Sequence, residues 1–256
     1  LYSGHARTIS PNAGPHPGHN GFLAENSNNW HVTNYTVEDS GEHGFRIGGD
    51  NSNNWSWVNC ASIKPGQCGF KVNPSGNGVI RDGLITGCWA RDCSWGNASG
   101  TNEDGLRLEK CRNVTVEGFK CYTSTGSKAY DGIFINGCHD ITINNPYINT
   151  TARDCIRIVD SDREVNNIHI SSPRLINPSE ALVTIDHSKE ILEDITILEI
   201  YGHSQGTYGI NVQVADVDQP CIFSGYIRND GSNAAFKKTA NSLKSSNRIY
   251  DYIQRL

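Results

Sequence analysis

Methionine is absent from the 256 residues, and charged residues are scarce at 19%. The net charge of -5 is mild and leaves no basic footprint for nucleic acid. No apolar run approaches the ~20 residues that cross a bilayer, so membrane insertion is not expected. No signal peptide opens the chain at Leu1, and a processed protein or excised fragment is expected. The nine cysteines include no C-x-x-C pair, which argues against zinc. Their odd number argues against a dense disulfide framework. They read instead as small buried apolar residues, as in a protein made in a reducing cytosol. No metal or cofactor is called for. Helical spacing is missing between Gly21 and Val214. Asn34, Asn54, Asn97, Asn113 and Asn149 each begin an N-x-Ser/Thr triplet, which asparagine-rich turns produce by chance.

What is present is a repeat. The phrase Gly21-Phe22-Leu23-Ala24 returns as Gly44-Phe45-Arg46-Ile47, Gly69-Phe70-Lys71-Val72 and Gly105-Leu106-Arg107-Leu108. It continues as Gly132-Ile133-Phe134-Ile135, Cys155-Ile156-Arg157-Ile158, Leu182-Val183-Thr184-Ile185 and Gly209-Ile210-Asn211-Val212. Starts lie 23, 25, 36, 27, 23, 27 and 27 residues apart. Each phrase alternates apolar and other residues, as a half-buried strand does. A second strand phrase follows a short polar turn, as in Val114-Thr115-Val116, Ile141-Thr142-Ile143, Ile168-His169-Ile170 and Ile195-Thr196-Ile197. The turns carry Asn53-Asn54, Arg112-Asn113 and His139-Asp140, which suit left-handed backbone geometry. A strand-only repeat of this period predicts an all-β parallel β-helix of about eight coils over residues 21–230. Leucine-rich-repeat and propeller signatures are missing. Residues 1–20 are expected to form a cap or the end of a preceding coil. Residues 231–256 lose the repeat and are expected to form a C-terminal cap or tail, helical or extended, over the open edge.

Stacking turns a repeat position into a column. The middle residues of the first strands point outward: Leu23, Arg46, Lys71, Arg107, Phe134, Arg157, Thr184 and Asn211. Half are cationic. They form either a solvated face that blocks aggregation or a cationic floor for carboxylate-bearing sugars. The residues just before each strand form another column: Asn20, His43, Cys68, Asp104, Asp131, Asp154, Ala181 and Tyr208. Asp-Gly turn chemistry accounts for Asp104 and Asp131 but poorly for Asp154-Cys155. Stacked carboxylates also repel, which raises at least one pKa unless cations intervene. Glycoside hydrolysis uses such a divergent pair. Adjacent coils would hold carboxylates ~5 Å apart, near the retaining separation; two coils would hold them ~9.6 Å apart, near the inverting one. The longest repeat places its extra length at Arg91 to Glu103, with Trp95, Asn97 and Asn102, and interrupting loops gather binding residues. Trp95, Tyr122 and Tyr130 are candidates for sugar stacking or for ordinary loop packing.

These residues resemble the pectate-lyase-like superfamily of right-handed parallel β-helices. Asn102-Glu103-Asp104-Gly105 is similar to the Asn-Thr-Asp motif of polygalacturonases, and Arg153-Asp154-Cys155-Ile156-Arg157-Ile158 to their Asp-Asp-Cys-Ile-x-Ile segment. Glu42-His43-Gly44-Phe45-Arg46-Ile47-Gly48 resembles their Gly-His-Gly segment, although here it precedes the Asp segments. That likeness implies inverting hydrolysis with Asp104 and Asp154 as acid and base and Asp131 between them. The whole pattern resembles bacteriophage tailspike depolymerase domains more closely. This implies a homotrimer, a bacterial surface polysaccharide as substrate, and a place on the virion tail or outside the cell.

The expected function is glycoside hydrolysis by Asp104, Asp131 and Asp154. Substrate contacts are expected from His43, Arg46, Lys71, Trp95, Glu103, Arg107, Tyr130 and Arg157. One alternative is a lyase or epimerase on uronic acid polymers, with Arg46, Lys71, Arg107 or Arg157 neutralising the carboxylate and His43, Tyr130 or a deprotonated arginine as base. Calcium, common among pectate lyases, would then have the Asp column as its site. The other is a β-helix that binds glycan without cleaving it, or a spike shaft.

Overall fold

The computed structural model describes residues 2–7, 19–95, 103–124, 126–161, 163–186, 192–213, 221–230, 236–239 and 250–254. Strand pairing among them is parallel. Each coil therefore lies over the last, as the repeat requires. A nine-stranded sheet runs from Phe22–Glu25 through Phe45–Gly48, Phe70–Val72, Leu106–Glu109, Ile133–Asn136, Ile156–Val159, Ala181–Asp186 and Tyr208–Gln213 to Phe236–Thr239. This is the first face of the solenoid. The eight phrases read from the sequence are its first eight strands. They bound about seven complete turns, not eight coils, because a count of phrases includes both ends of the stack.

A fifteen-stranded sheet supplies the other two faces. The second face holds Asn53–Val58, Ile80–Thr86, Cys111–Glu117, His139–Asn144 and Val165–Ser171. The third holds Ala61–Ile63, Trp89–Arg91, Lys120–Tyr122, Tyr147–Thr151 and Arg174–Pro178. The long strands Asn28–Glu38 and Leu192–Ser204 each pair with strands of both faces and so join them. Pairing continues outside residues 21–230: Tyr2–Arg7 pairs with Asn28–Glu38, and Tyr250–Gln254 pairs with Cys221–Asn229. Within 241–256 the described part is thus a strand rather than a helix.

The bends are made by residues that tolerate positive φ. Asn29, Asn54, Asp82, Asn113, Asp140, Asn167 and Asp194 share one column with φ between 49° and 58°. Short polar side chains visit this region at least cost because they hydrogen-bond locally. The side chains also link coils: Asn113 Nδ2 donates to Asp82 Oδ1 at 2.7 Å, and Asn167 Nδ2 to Asp140 Oδ1 at 2.9 Å. A second left-handed column, Asn34, Asn59, Gly87, Gly118, Asn145, Ser172 and Glu199, turns the chain from the second face to the third.

Inside, side chains stack by type. Phe45 lies flat on Phe70, centroids 4.7 Å apart. All nine cysteines are free and buried, as expected of small apolar fillers. Gly83 admits the Trp55 indole: a Cβ there would sit 2.2 Å from Trp55 Cζ2.

Candidate active site

The column before the first face is continuous, and its residues share one task. Asn20 Oδ1 accepts the His43 N–H at 3.3 Å, and His43 Nδ1 accepts the Cys68 N–H at 3.2 Å. Cys68 in turn accepts from the Asp104 backbone. Asp104 Oδ1 accepts the Asp131 N–H at 3.0 Å, Asp131 Oδ1 the Asp154 N–H at 3.2 Å, and Asp154 Oδ1 the Ala181 N–H at 3.0 Å. Each side chain satisfies the backbone donor of the coil above, at a corner where a buried N–H needs a partner.

The three aspartates therefore share one ridge of the stack, as the repeat implied, but that ridge is not on the outside. Asp104 is 1% exposed, and Asp131 and Asp154 are 0% exposed. Asp-Gly turn chemistry is not what places Gly105 and Gly132 here, since neither needs positive φ. A Cβ on Gly105 would lie 2.6 Å from the Gly132 carbonyl oxygen, and one on Gly132 2.6 Å from that of Cys155. Close stacking of coils demands these glycines.

The second oxygen of each aspartate holds an arginine. Arg107 Nη1 donates to Asp104 Oδ2 at 2.8 Å, and Arg157 Nη1 to Asp154 Oδ2 at 3.1 Å. Arg153 grips Asp131 with both arms of its fork, Nε to Oδ1 at 2.8 Å and Nη2 to Oδ2, and its guanidinium lies 4.1 Å over the Tyr130 ring. Burial, and next the charge of Asp131, push both Asp104 and Asp154 up to about 7, while their arginines pull the other way. Cations intervene, yet desolvation wins at both positions. His43 goes the other way, down to about 2, because it is buried and faces Lys71, Arg46 and Arg107. It is a neutral imidazole, with Nδ1 taken by the Cys68 N–H.

The outward column is not an open cationic floor. Lys71 is 7% exposed, Phe134 7%, Thr184 1% and Asn211 6%. Arg46 faces Glu42 at 3.8 Å. Arg107 adds Glu109 at 2.7 Å to Asp104 and lies 4.0 Å over Phe134. Arg157 adds Asp186 at 2.7 Å to Asp154. Each of these arginines is matched by carboxylates, so neither expected picture of this column holds: it is neither solvated nor a net positive surface.

Most of the expected residues therefore meet in one place. Asp104, Asp131, Asp154, Arg107, Arg157 and Tyr130 form a single network, with His43, Arg46 and Lys71 continuing it down the stack. Glu103 is buried beside Asp104 and accepts the Ser94 hydroxyl at 2.6 Å. Trp95 is 37% exposed and packs against Lys64, whose Nζ lies 4.5 Å from its ring. Extra length does fall before Asp104: residues 92–105 separate strands that 64–69 separate one coil earlier. Asn97 and Asn102 lie outside the described residues. Sequence reading missed Glu109, Asp186 and Arg153. The first two stand two residues beyond an outward arginine or threonine on their strands, the next outward position by alternation. That signal was available.

A parallel β-solenoid with three faces and a buried polar ladder is the class these features define. The chain belongs to the family described as right-handed β-helix region, whose model matches residues 20–199. Its fold is similar to the catalytic unit of a thermostable GH87 α-1,3-glucanase from Streptomyces thermodiastaticus strain HF3-3. There the TM-score is 0.55 and the identity 11%, over 91% of this chain and 51% of that one. It is also similar to the catalytic domain of a GH87 α-1,3-glucanase in complex with nigerose, with TM-score 0.52 and 16% identity over 82% and 46%. At such identities the likeness is one of fold, and the chain spans about half the length of these structures. No curated protein matches the chain in sequence.

Proposed function

We propose that the chain is a carbohydrate-active β-helix that hydrolyses a polysaccharide along its first face. One observation carries the hydrolytic reading. Two carboxyls with pKa values pushed up to about 7, Asp104 and Asp154, stand two coils apart on either side of a third, Asp131, that is clamped by Arg153. Two coil rises are ~9.6 Å, close to the separation used for inversion. A carboxyl that titrates near neutrality can lend or take a proton at working pH. To meet a glycosidic oxygen, Oδ2 of Asp104 or Asp154 exchanges its arginine for the substrate, and Oδ1 remains on the backbone. That structural neighbours are α-1,3-glucanase catalytic domains agrees with a glycan substrate.

Charge compensation favours a neutral glycan on this face over a polyuronate. The carboxylates around Arg46, Arg107 and Arg157 already fill the places a uronate would take, which weighs against the lyase and epimerase reading. The tailspike reading, with a homotrimer and a bacterial surface polysaccharide, rests on the resemblance of the sequence pattern alone.

The test is reducing-end release from a panel of neutral and acidic capsular polysaccharides and α-1,3-glucan, with ultraviolet absorbance followed in parallel. Hydrolysis gives new reducing ends without the absorbance of an unsaturated sugar. Asp104→Asn and Asp154→Asn should each lower the rate at least a hundredfold while keeping the backbone hydrogen bond. Full activity in both removes these residues from the chemistry. Saturable binding with no product leaves a glycan-binding module instead.

A further inference from the structure

The third face carries a different chemistry from the first. Its inward residues Ala90, Cys121, Ile148, Leu175 and Ile227 are buried. The residues before them therefore point outward and stack in register: Trp89, Lys120, Tyr147, Arg174, Tyr201 and Tyr226. Rings and cations share this column over six coils, and none of the six is acidic. Arg174 lies 5.6 Å from the Tyr147 centroid and 5.8 Å from that of Tyr201. Tyr201 stacks on Tyr226 at 5.9 Å, and Trp89 on Tyr122 of the adjoining outward column, also at 5.9 Å. Among the described residues, Lys120 and Arg174 are exposed and neither is paired with a carboxylate. Tyr201 is 53% exposed, more than any other large apolar side chain among the described residues.

Cross-strand ring stacking stabilises a sheet by roughly 0.2–1 kcal/mol per pair, and that accounts for adjacent rings. It does not account for uncompensated cations set between them on a chain of net negative charge. We propose that this column is a second carbohydrate surface, a track along the solenoid axis for an extended acidic polysaccharide. The apolar face of a pyranose ring stacks on an aromatic side chain, and a guanidinium or ammonium beside it takes the sugar carboxylate. Coils rise ~4.8 Å each, so six coils give a track roughly 24 Å long, and one rise is close to the length of one sugar residue. Successive sugars thus meet rings and cations in turn. The surface is independent of the hydrolytic site proposed on the first face.

Affinity electrophoresis of the whole chain tests this with polygalacturonate, neutral dextran and an oligothymidylate as probes. Polygalacturonate should retard the protein and dextran should not. The double variant Arg174→Gln/Tyr201→Ala should bind polygalacturonate at least about tenfold more weakly, with a melting temperature close to the wild type. Lys120→Glu, at an exposed position on a different coil, should weaken it as well and stands in if the double variant does not fold. Asp104→Asn should bind as the wild type does, which separates failure of this surface from failure of the hydrolytic reading. Unchanged binding in the variants, or no retardation by polygalacturonate, overturns the proposal. Equal retardation by dextran overturns the acidic class of ligand. Retardation by oligothymidylate alone makes the track a single-strand nucleic-acid surface instead.

Discussion

Arg153→Ala isolates the strongest link in the polar ladder. The guanidinium holds Asp131 through two hydrogen bonds, and Asp131 is fully buried. Arg153 itself is 16% exposed, so solvent screens the pair little. Truncation leaves a buried carboxylate without its cation, which costs about 3–5 kcal/mol, and removes a ring contact with Tyr130 worth about 0.5–1 kcal/mol. Unfolding entropy near 2.1 cal/mol/K per residue makes one kcal/mol about 2 °C for a chain of this length, so the loss should be about 7–12 °C in melting temperature. Asp131→Asn in the same chain removes the stranded charge and keeps the acceptor for the Asp154 N–H. The double variant should therefore recover most of the loss. Urea unfolding followed by circular dichroism, on the two single variants and the double, measures the coupling. A loss under about 1 kcal/mol for Arg153→Ala, or a double variant no more stable than Arg153→Ala, refutes the reasoning.

Asp131→Asn alone should lower the pKa of both Asp104 and Asp154 from about 7, because it deletes a like charge that raises each; carboxyl carbon NMR reads this, and unmoved titrations contradict it. The same shifts make stability depend on pH. Both folded values lie above the ordinary ~3.9 of an unfolded Asp, so the contribution of each group is full below about pH 4 and is lost as pH rises through about 7. The stability of wild type relative to Asp104→Asn should therefore fall across that window, and a rise instead would reverse the assignment. Gly83→Ala should destabilise by about 1–3 kcal/mol, since its Cβ would sit 2.2 Å from the buried Trp55 ring; denaturant melts and tryptophan emission equal to wild type would show that the ring has room.

The first and second faces were legible because their strands are long enough to alternate. Leu106-Arg107-Leu108 and Val114-Thr115-Val116 each put two residues inside and one out, a pattern that periodicity finds. The third face was not legible. Trp89–Arg91 and Lys120–Tyr122 have three residues each, with one inward side chain, Ala90 or Cys121, and a single apolar residue has no period. The left-handed turns were readable at Asn54, Asn113 and Asp140 because those residue types suit positive φ. The same column contains Asn29 and Asp194, which carry the same residue types but lie within the two long strands that run through the bend. The Asp column was found by stacking the repeats, but its burial was not, since a corner residue can face either way and the sequence does not say which. Its partners differ in how far the sequence reaches them: Arg107 and Arg157 lie three residues beyond their Asp on the same coil, whereas the Arg153–Asp131 pair spans 22 residues and needs the coil geometry.

Why the ladder uses aspartate at three coils is itself informative. Accepting one backbone N–H from the coil above does not require a charge, since Asn20, His43 and Cys68 do it without one. An asparagine at 104, 131 or 154 would serve as well and would avoid placing three mutually repelling carboxylates in the interior. What a carboxylate adds is the second oxygen, and at each of these coils that oxygen orients an arginine: Arg107, Arg153 and Arg157. Two of those arginines stand in the outward column of the first face, and the third crosses Tyr130 at its margin. The repulsion is thus tolerated where rigid guanidiniums are wanted on the outside; the coils of Asn20, Cys68, Ala181 and Tyr208 carry no arginine in the corresponding outward position, and on the His43 coil Arg46 faces Glu42 instead. An interior feature of the stack sets the geometry of one surface, and on this ground the first face, between Arg107 and Arg157, is where chemistry on a bound glycan is best sought.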